Sequence, residues 1–271
     1  MSDGAATVPP VPKQIYYFSG HALGASARFT KLDNKEGFNE IVPVLGASVL
    51  PTTGGESTAL VSNYCYEVVK PRRRNLLTVH RIATSAIGRD MGTHFETETN
   101  ARVESITIVD KLHIDLLVVH VVSSRDLRDN EPKITSTGNK IQGVFLGAVE
   151  AKVTLNDDIM HACASTSQIA RFFDGKSEND RNAASVVQQG GITRLTLVRD
   201  IQLKGAERDK QKITRVGNAL YWDGFGFIFF GEVLVKDQDR QVNLVRLQMG
   251  SDDGGSGTMG NGQSNGVTGS N

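Results

Sequence analysis

The feature that most constrains this chain is apolar alternation with a period of two, repeated through segment after segment. Phe95, Ala101 and Val103 alternate with Glu96, Glu98, Arg102 and Glu104, and Val149, Ala151 and Val153 alternate with Glu150, Lys152 and Thr154. Successive side chains of a strand point to opposite faces, so such runs read as strands with one buried face. From Ile141 to Leu155 the pattern reads as one long strand. In His94 to Val109 the apolar set changes parity from Val103 to Ile106, which predicts a β-bulge near Glu104 and Ser105. Leu112 to Val122 is apolar at odd and even positions alike, which predicts a central strand covered on both faces and paired through a turn at Asp110 and Lys111.

Further strands are expected at Gln14 to Ser19, Ala25 to Leu32, Ile41 to Leu50, Ser57 to Val69, Asn75 to Ile87 and Ile192 to Leu203. Phe225 to Lys236 and Gln241 to Met249 read as a hairpin. Helix periodicity is confined to one region. Asn156 stands where a cap is needed, Asp157 and Asp158 suit a helix start, and Ile159, Cys163, Thr166, Ala170 and Phe173 recur on one face before Gly175. A second short helix is expected over Asn179 to Gln189, so a small helical insertion spans about 157–189. The fold class is therefore all-β: a mainly antiparallel sandwich or barrel-like domain with that insertion.

The domain has two expected appendages. Residues 1–13 carry three prolines and read as a flexible arm, residues 14–249 form the folded domain, and residues 250–271, rich in glycine, serine and asparagine, read as a disordered tail. The chain balances 30 basic against 30 acidic residues. Zero net charge provides no long-range attraction to nucleic acid or anionic membrane, and no signal-like or membrane-spanning apolar run occurs, so a cytoplasmic location is the expectation.

The motifs that carry chemistry are weak. Gly20-His21-Ala22-Leu23-Gly24 has the spacing of a nucleophile elbow, but alanine stands at the nucleophile position and the next segment alternates as a strand. The tetrapeptide Leu-Gly-Ala-Ser occurs at 23–26 and again at 45–48, with a weaker echo from Leu146. It reads as a packing device at bulges or close approaches, in preference to an internal duplication. His113 and His120 differ by an odd number and so should point to opposite faces, whereas His113 and Asp115 share one. Cys65 and Cys163 read as small packing groups. Neither a metal site nor a cofactor is expected.

Pro71-Arg72-Arg73-Arg74 is the sharpest charge feature. The three arginines, Arg72, Arg73 and Arg74, predict an exposed loop open to a partner or to proteolysis. Tyr64 and Tyr66 lie nearby on one strand face. Three functions follow in order: a non-enzymatic interaction or assembly protein with a protein partner or self-association, an enzyme with a histidine/carboxylate site assembled from distant strands, and a membrane-active β-hairpin protein. The small-molecule partner, if there is one, is left open by the sequence.

Overall fold

The computed structural model describes residues 15–33, 35, 37–69, 73–126, 128–129, 131–174, 187–189, 192–236, 239–250 and 253–269. Two antiparallel sheets pack face to face. The first joins, in spatial order, β10 (Val187–Gln189), β11 (Ile192–Thr196), β15 (Gly226–Lys236), β16 (Asp239–Gly250), β17 (Gly254–Gly269), β1 (Ile15–Lys31) and β2 (Glu40–Val49). The hairpin of β13 (Ile213–Val216) and β14 (Ala219–Trp222) extends from β15. The second sheet runs β12 (Val198–Lys204), β9 (Val149–Leu155), β8 (Lys140–Leu146), β6 (Leu112–Asp126), β5 (His94–Ile108), β4 (Arg74–Asp90) and β3 (Gly55–Val68), with β7 (Lys133–Ser136) on β6. Among the described residues the helices are α1 (Asp158–Ala162), α2 (Thr166–Phe173) and α3 (Glu207–Lys210). The arrangement is a sandwich and not a closed barrel.

The expected parity change at Ser105 is one member of a row that crosses the second sheet. Asn63, His80, Ser105, Asp115 and Gly143 lie level on β3, β4, β5, β6 and β8, each skipped by the regular pairing on either side. Asn63, Ser105 and Gly143, on alternate strands, have φ of 51°, 50° and 61°. The first sheet has its own row: Gly46, Gly24, Gly260, Leu244 and Gly231 on β2, β1, β17, β16 and β15. At every kink the buried face passes from residue i to i+3, as in Val79 to Ile82, Val103 to Ile106 and Ile114 to Leu117. The two rows are stacked. A Cβ on Gly24 would lie 2.2 Å from Ile82 Cγ2, and one on Gly46 2.4 Å from the same atom. Both copies of the Leu-Gly-Ala-Ser echo are thus close-approach positions. The weaker echo places Gly147 in the turn between β8 and β9.

One turn and the kink in β6 correct three expectations. Ile141 to Leu155 is two strands joined at Gly147 and Ala148, not one. Leu112 to Val122 is not covered on both sides: Leu112, Ile114, Leu117, Val119 and Val121 all face the core, and their mixed parity comes from the kink at Asp115. Its outer face is half-exposed, and His113 and His120 both lie on that face.

The glycine-rich segment also departs from expectation. Gly254–Gly269 is not disordered but is β17, paired with β16 on one side and β1 on the other. Composition misleads here because β17 contributes little apolar side chain. Its backbone hydrogen-bonds to two neighbours, and its lack of side chains lets the sheets approach: a Cβ on Gly262 would sit 3.2 Å from Thr99 Oγ1 and 3.3 Å from Val121 Cγ2.

The helical insertion breaks in two around Cys163, and Asn156 accepts the Asp158 amide at 3.2 Å instead of capping one long helix. Of the second expected helix, 187–189 is strand β10, and 179–186 lies outside the described residues, as does the 1–13 arm. The expected strands over 14–19 and 25–32 are one continuous strand, β1, because the Gly24 kink keeps the pairing with β17 going.

The main core lies between the sheets. A smaller aromatic cluster of Tyr16, Phe18, Leu50, Ala86 and Phe95 closes one end, with Tyr16 stacked on Phe95 at 4.2 Å.

Candidate functional site

A sandwich of two open sheets has four edges, and each exposes a row of unpaired backbone groups unless something blunts it. Two of these edges, β2 and β12, are blunted. The described part of β10 is three residues long. In β2, Pro43 removes a donor, and the register shifts between the pairs Ala25 with Leu45 and Ala27 with Val42. In β12, Arg199, Asp200 and Lys204 place charge on seven residues.

The fourth edge, β3, is different. It runs for 14 residues, and between Glu56 and Glu67 it carries no charged side chain. Ser57, Ala59, Val61, Tyr64 and Tyr66 face the inter-sheet side and are half-buried. Val61, Tyr64 and Tyr66 pack against the core from its margin. Thr58, Ser62 and Cys65 are exposed on the outer side, and Leu60 is 63% exposed.

Neighbouring side chains hydrogen-bond to this edge. The Tyr66 hydroxyl donates to Glu40 Oε2 at 2.5 Å, tying β3 to the first residue of β2. That bond, with burial and the Glu40 charge adding to it, pushes the phenol up to about 12. Burial, then Cys65, raises Tyr64 as well. Asn63 Oδ1 lies 3.1 Å from His80 Nδ1 and ties the kink to β4. Cys65 is exposed, against the expectation of a packing group, and its thiol donates to Asn75 Oδ1 at 3.4 Å; Cys163 is buried.

Of the three arginines, Arg73 and Arg74 lie among the described residues and differ in their surroundings. Arg72 lies outside the described residues. Arg73 is exposed and pairs with Glu67 at 2.8 Å. Arg74 is turned inward, its side chain only 10% exposed. Its guanidinium donates to Asp253 Oδ1 and Oδ2 at 2.9 and 3.0 Å, to Asp33 Oδ1 at 3.2 Å and to the Val109 carbonyl at 2.9 Å. Asp253 is buried at the start of β17 and is also reached by Lys111 Nζ at 3.1 Å. Burial opposes its charge, but the donors Arg74, Lys111 and the Asp33 amide outweigh that and hold its carboxyl below the usual range. Arg74 is an anchor for the β16–β17 hairpin and not a free basic surface.

The outer face of the second sheet gathers the sequence-predicted histidines with carboxylates. His113 Nε2 lies 2.9 Å from Asp115 Oδ1, and its Nδ1 lies 2.8 Å from Thr107 Oγ1. His120 Nε2 is 3.2 Å from Glu98 Oε1, and Arg89 bridges Glu96 and Glu98. Burial alone would raise Glu98, but the Asn100 hydrogen bond, the nearby His120 and Arg89 bring it below its ordinary value. Among the described residues no three His, Cys, Asp or Glu side chains are grouped for a metal ion. No helix among them is long and apolar enough to cross a membrane. A cavity of about 770 Å³ lies on the outer face of the other sheet, lined by Ser26, Arg28, Ile41, Arg246 and Gln248 among others.

The motif reading of the sequence missed the β3 edge. Its signal is a negative one, ten uncharged residues in a strand, and becomes informative only once β3 is known to have one neighbour. Neither a curated protein nor a solved structure matches this chain. A family does match, over residues 16–189, a stretch that begins in β1, contains all of β2 to β9 and ends with β10. The chain belongs to that family, which is described as Domain of unknown function (DUF8256).

Proposed function

We propose that this protein is a non-enzymatic interaction and assembly protein that works by adding a strand to the open edge of its second sheet. The observation that supports this is β3: long, uncharged through ten residues and half-buried on one face, where β2 and β12 are blunted. An incoming strand satisfies the free backbone groups along β3 and covers Val61, Tyr64 and Tyr66.

The test is light scattering across a concentration series. Wild-type protein is expected to exceed its monomer mass as concentration rises. A Leu60→Lys/Ser62→Lys variant, which places two charges on exposed edge positions, is expected to stay monomeric with an unchanged circular dichroism spectrum. A wild-type chain that remains monomeric throughout, or association that the lysines leave untouched, would overturn the proposal.

A second reading, an enzyme with a histidine/carboxylate site, is favoured by one observation: His113 stands between a hydroxyl and a carboxylate, as a proton-relay histidine does. It predicts ester hydrolysis that His113→Gln removes. Against it, Asp115 is 56% exposed on an open sheet face, where water screens the pair. The edge reading is therefore preferred.

A further inference from the structure

The partner most closely fitted to β3 is a second copy of β3. This rests on the edge reading above and gives it a stoichiometry, a symmetry and a register. Directly opposed residues of an antiparallel pair lie on the same face of the sheet. An ordinary strand meets this condition in every second register, because its faces alternate without interruption. In β3 the kink at Ser62 and Asn63 interrupts the alternation. Ser57, Ala59 and Val61 face inward on one side of it, and Tyr64, Tyr66 and Val68 on the other.

This inward set is symmetric about the point between Ser62 and Asn63. We propose that two copies pair β3 to β3 in antiparallel fashion about a two-fold axis through that point, joining their second sheets into one continuous sheet. Every residue then meets one of its own face. Val61 lies against Tyr64 of the other copy, Ala59 against Tyr66, and Ser57 against Val68, a small residue opposite a larger one each time. On the outer face Leu60 lies against Cys65, and Thr58 against Glu67.

Other registers fail on face or charge. Sliding the copies by one residue puts inward against outward side chains at the positions on either side of the axis. Sliding by two leaves the residues at the kink facing opposite ways, and in one direction it also sets Glu56 against Glu67. In the proposed register Glu56 meets Val69 and Glu67 meets Thr58, so no like charges oppose. A two-fold contact of this kind uses the same surface on both partners and closes at two chains.

Cys65 provides the test, being exposed and free. In the Leu60→Cys variant of the full chain, the new thiol faces Cys65 of the other copy, at a spacing of about 4.5–5.5 Å between Cβ atoms. Mild oxidation or a short bis-maleimide is expected to yield a covalent dimer, and peptide mapping a 60-to-65 link. Wild-type protein and Glu56→Cys are expected to give none, because their thiols lie several residues out of register. A covalent dimer linked 60 to 65 supports the two-fold register. Association that the Leu60→Lys/Ser62→Lys variant abolishes, but with no 60-to-65 link or with growth beyond a dimer, overturns the two-fold and leaves the edge reading standing. A wild-type chain that stays monomeric overturns both.

Discussion

Replacing Arg74 with methionine should show that it is structural. The substitution keeps most of the side-chain length and removes the guanidinium. It leaves Asp253, whose side chain is 1% exposed, with Lys111 and the Asp33 amide as its remaining donors. Removing one partner of a buried ion pair costs about 3–5 kcal/mol when the other charge is left unpaired, and the remaining Lys111 pairing sets Arg74→Met at the lower end of that range. For a chain of this size each kcal/mol moves the melting temperature by about 2–4 °C, so the loss should be on the order of ten degrees. Thermal and urea unfolding of wild type, Arg74→Met, Asp253→Asn and the double variant measure it. The two single costs should not add, because both remove the same contact.

Acid supplies an independent readout. The folded pKa of Asp253 lies below the unfolded-chain value of about 3.9, so the stability it contributes is fully present above roughly pH 4 and is lost as pH falls through the folded pKa. Asp253→Asn should therefore lose less stability between neutral and strongly acid pH than wild type does. If Arg74→Met costs less than about 1 kcal/mol, within the range of an exposed pair, the anchor does not exist and Arg74 belongs with Arg73 as surface charge.

Two further perturbations test the packing and the β3–β2 link. Gly24→Ala should cost about 1–3 kcal/mol by urea unfolding, because the added methyl lands 2.2 Å from Ile82 Cγ2, and Ile82→Ala in the same chain should recover part of the loss. Ultraviolet titration of the tyrosines should show a component ionising near 12 that Tyr66→Phe removes; its persistence would deny the bond to Glu40.

The sandwich and most of its strands were legible because burial on one face imposes alternation directly on the sequence. The kink rows were legible in part. In β5 the change from Val103 to Ile106 stands between charged residues and is visible, and it led to Ser105. In β6 the same change from Ile114 to Leu117 is hidden, because Leu116 and Val118 on the outer face are apolar too. That one hidden kink turned a parity argument about His113 and His120 the wrong way. β17 was illegible for another reason. Its ordering comes from backbone pairing on both flanks and from the Asp253 anchor, neither of which writes an apolar pattern. The role of Arg74 was illegible because its partners, Asp33, Val109 and Asp253, are distant in sequence.

The position of β17 puts a pairing of long sequence separation on the folding path. β1 and β2 are neighbours in sequence and can pair as soon as both exist, but the other flank of β1 accepts β17, with Ile15 opposite Gly269 and Ala25 opposite Met259. Closing a loop of that length is slow, and nothing local assists it. Through synthesis of the intervening residues, β1 carries an unpaired backbone flank beside an apolar face that includes Phe18, Ala22 and Phe29. The newly made chain is therefore most prone to wrong pairing along its first strand, and a prematurely terminated product that lacks β17 would keep that hazard permanently.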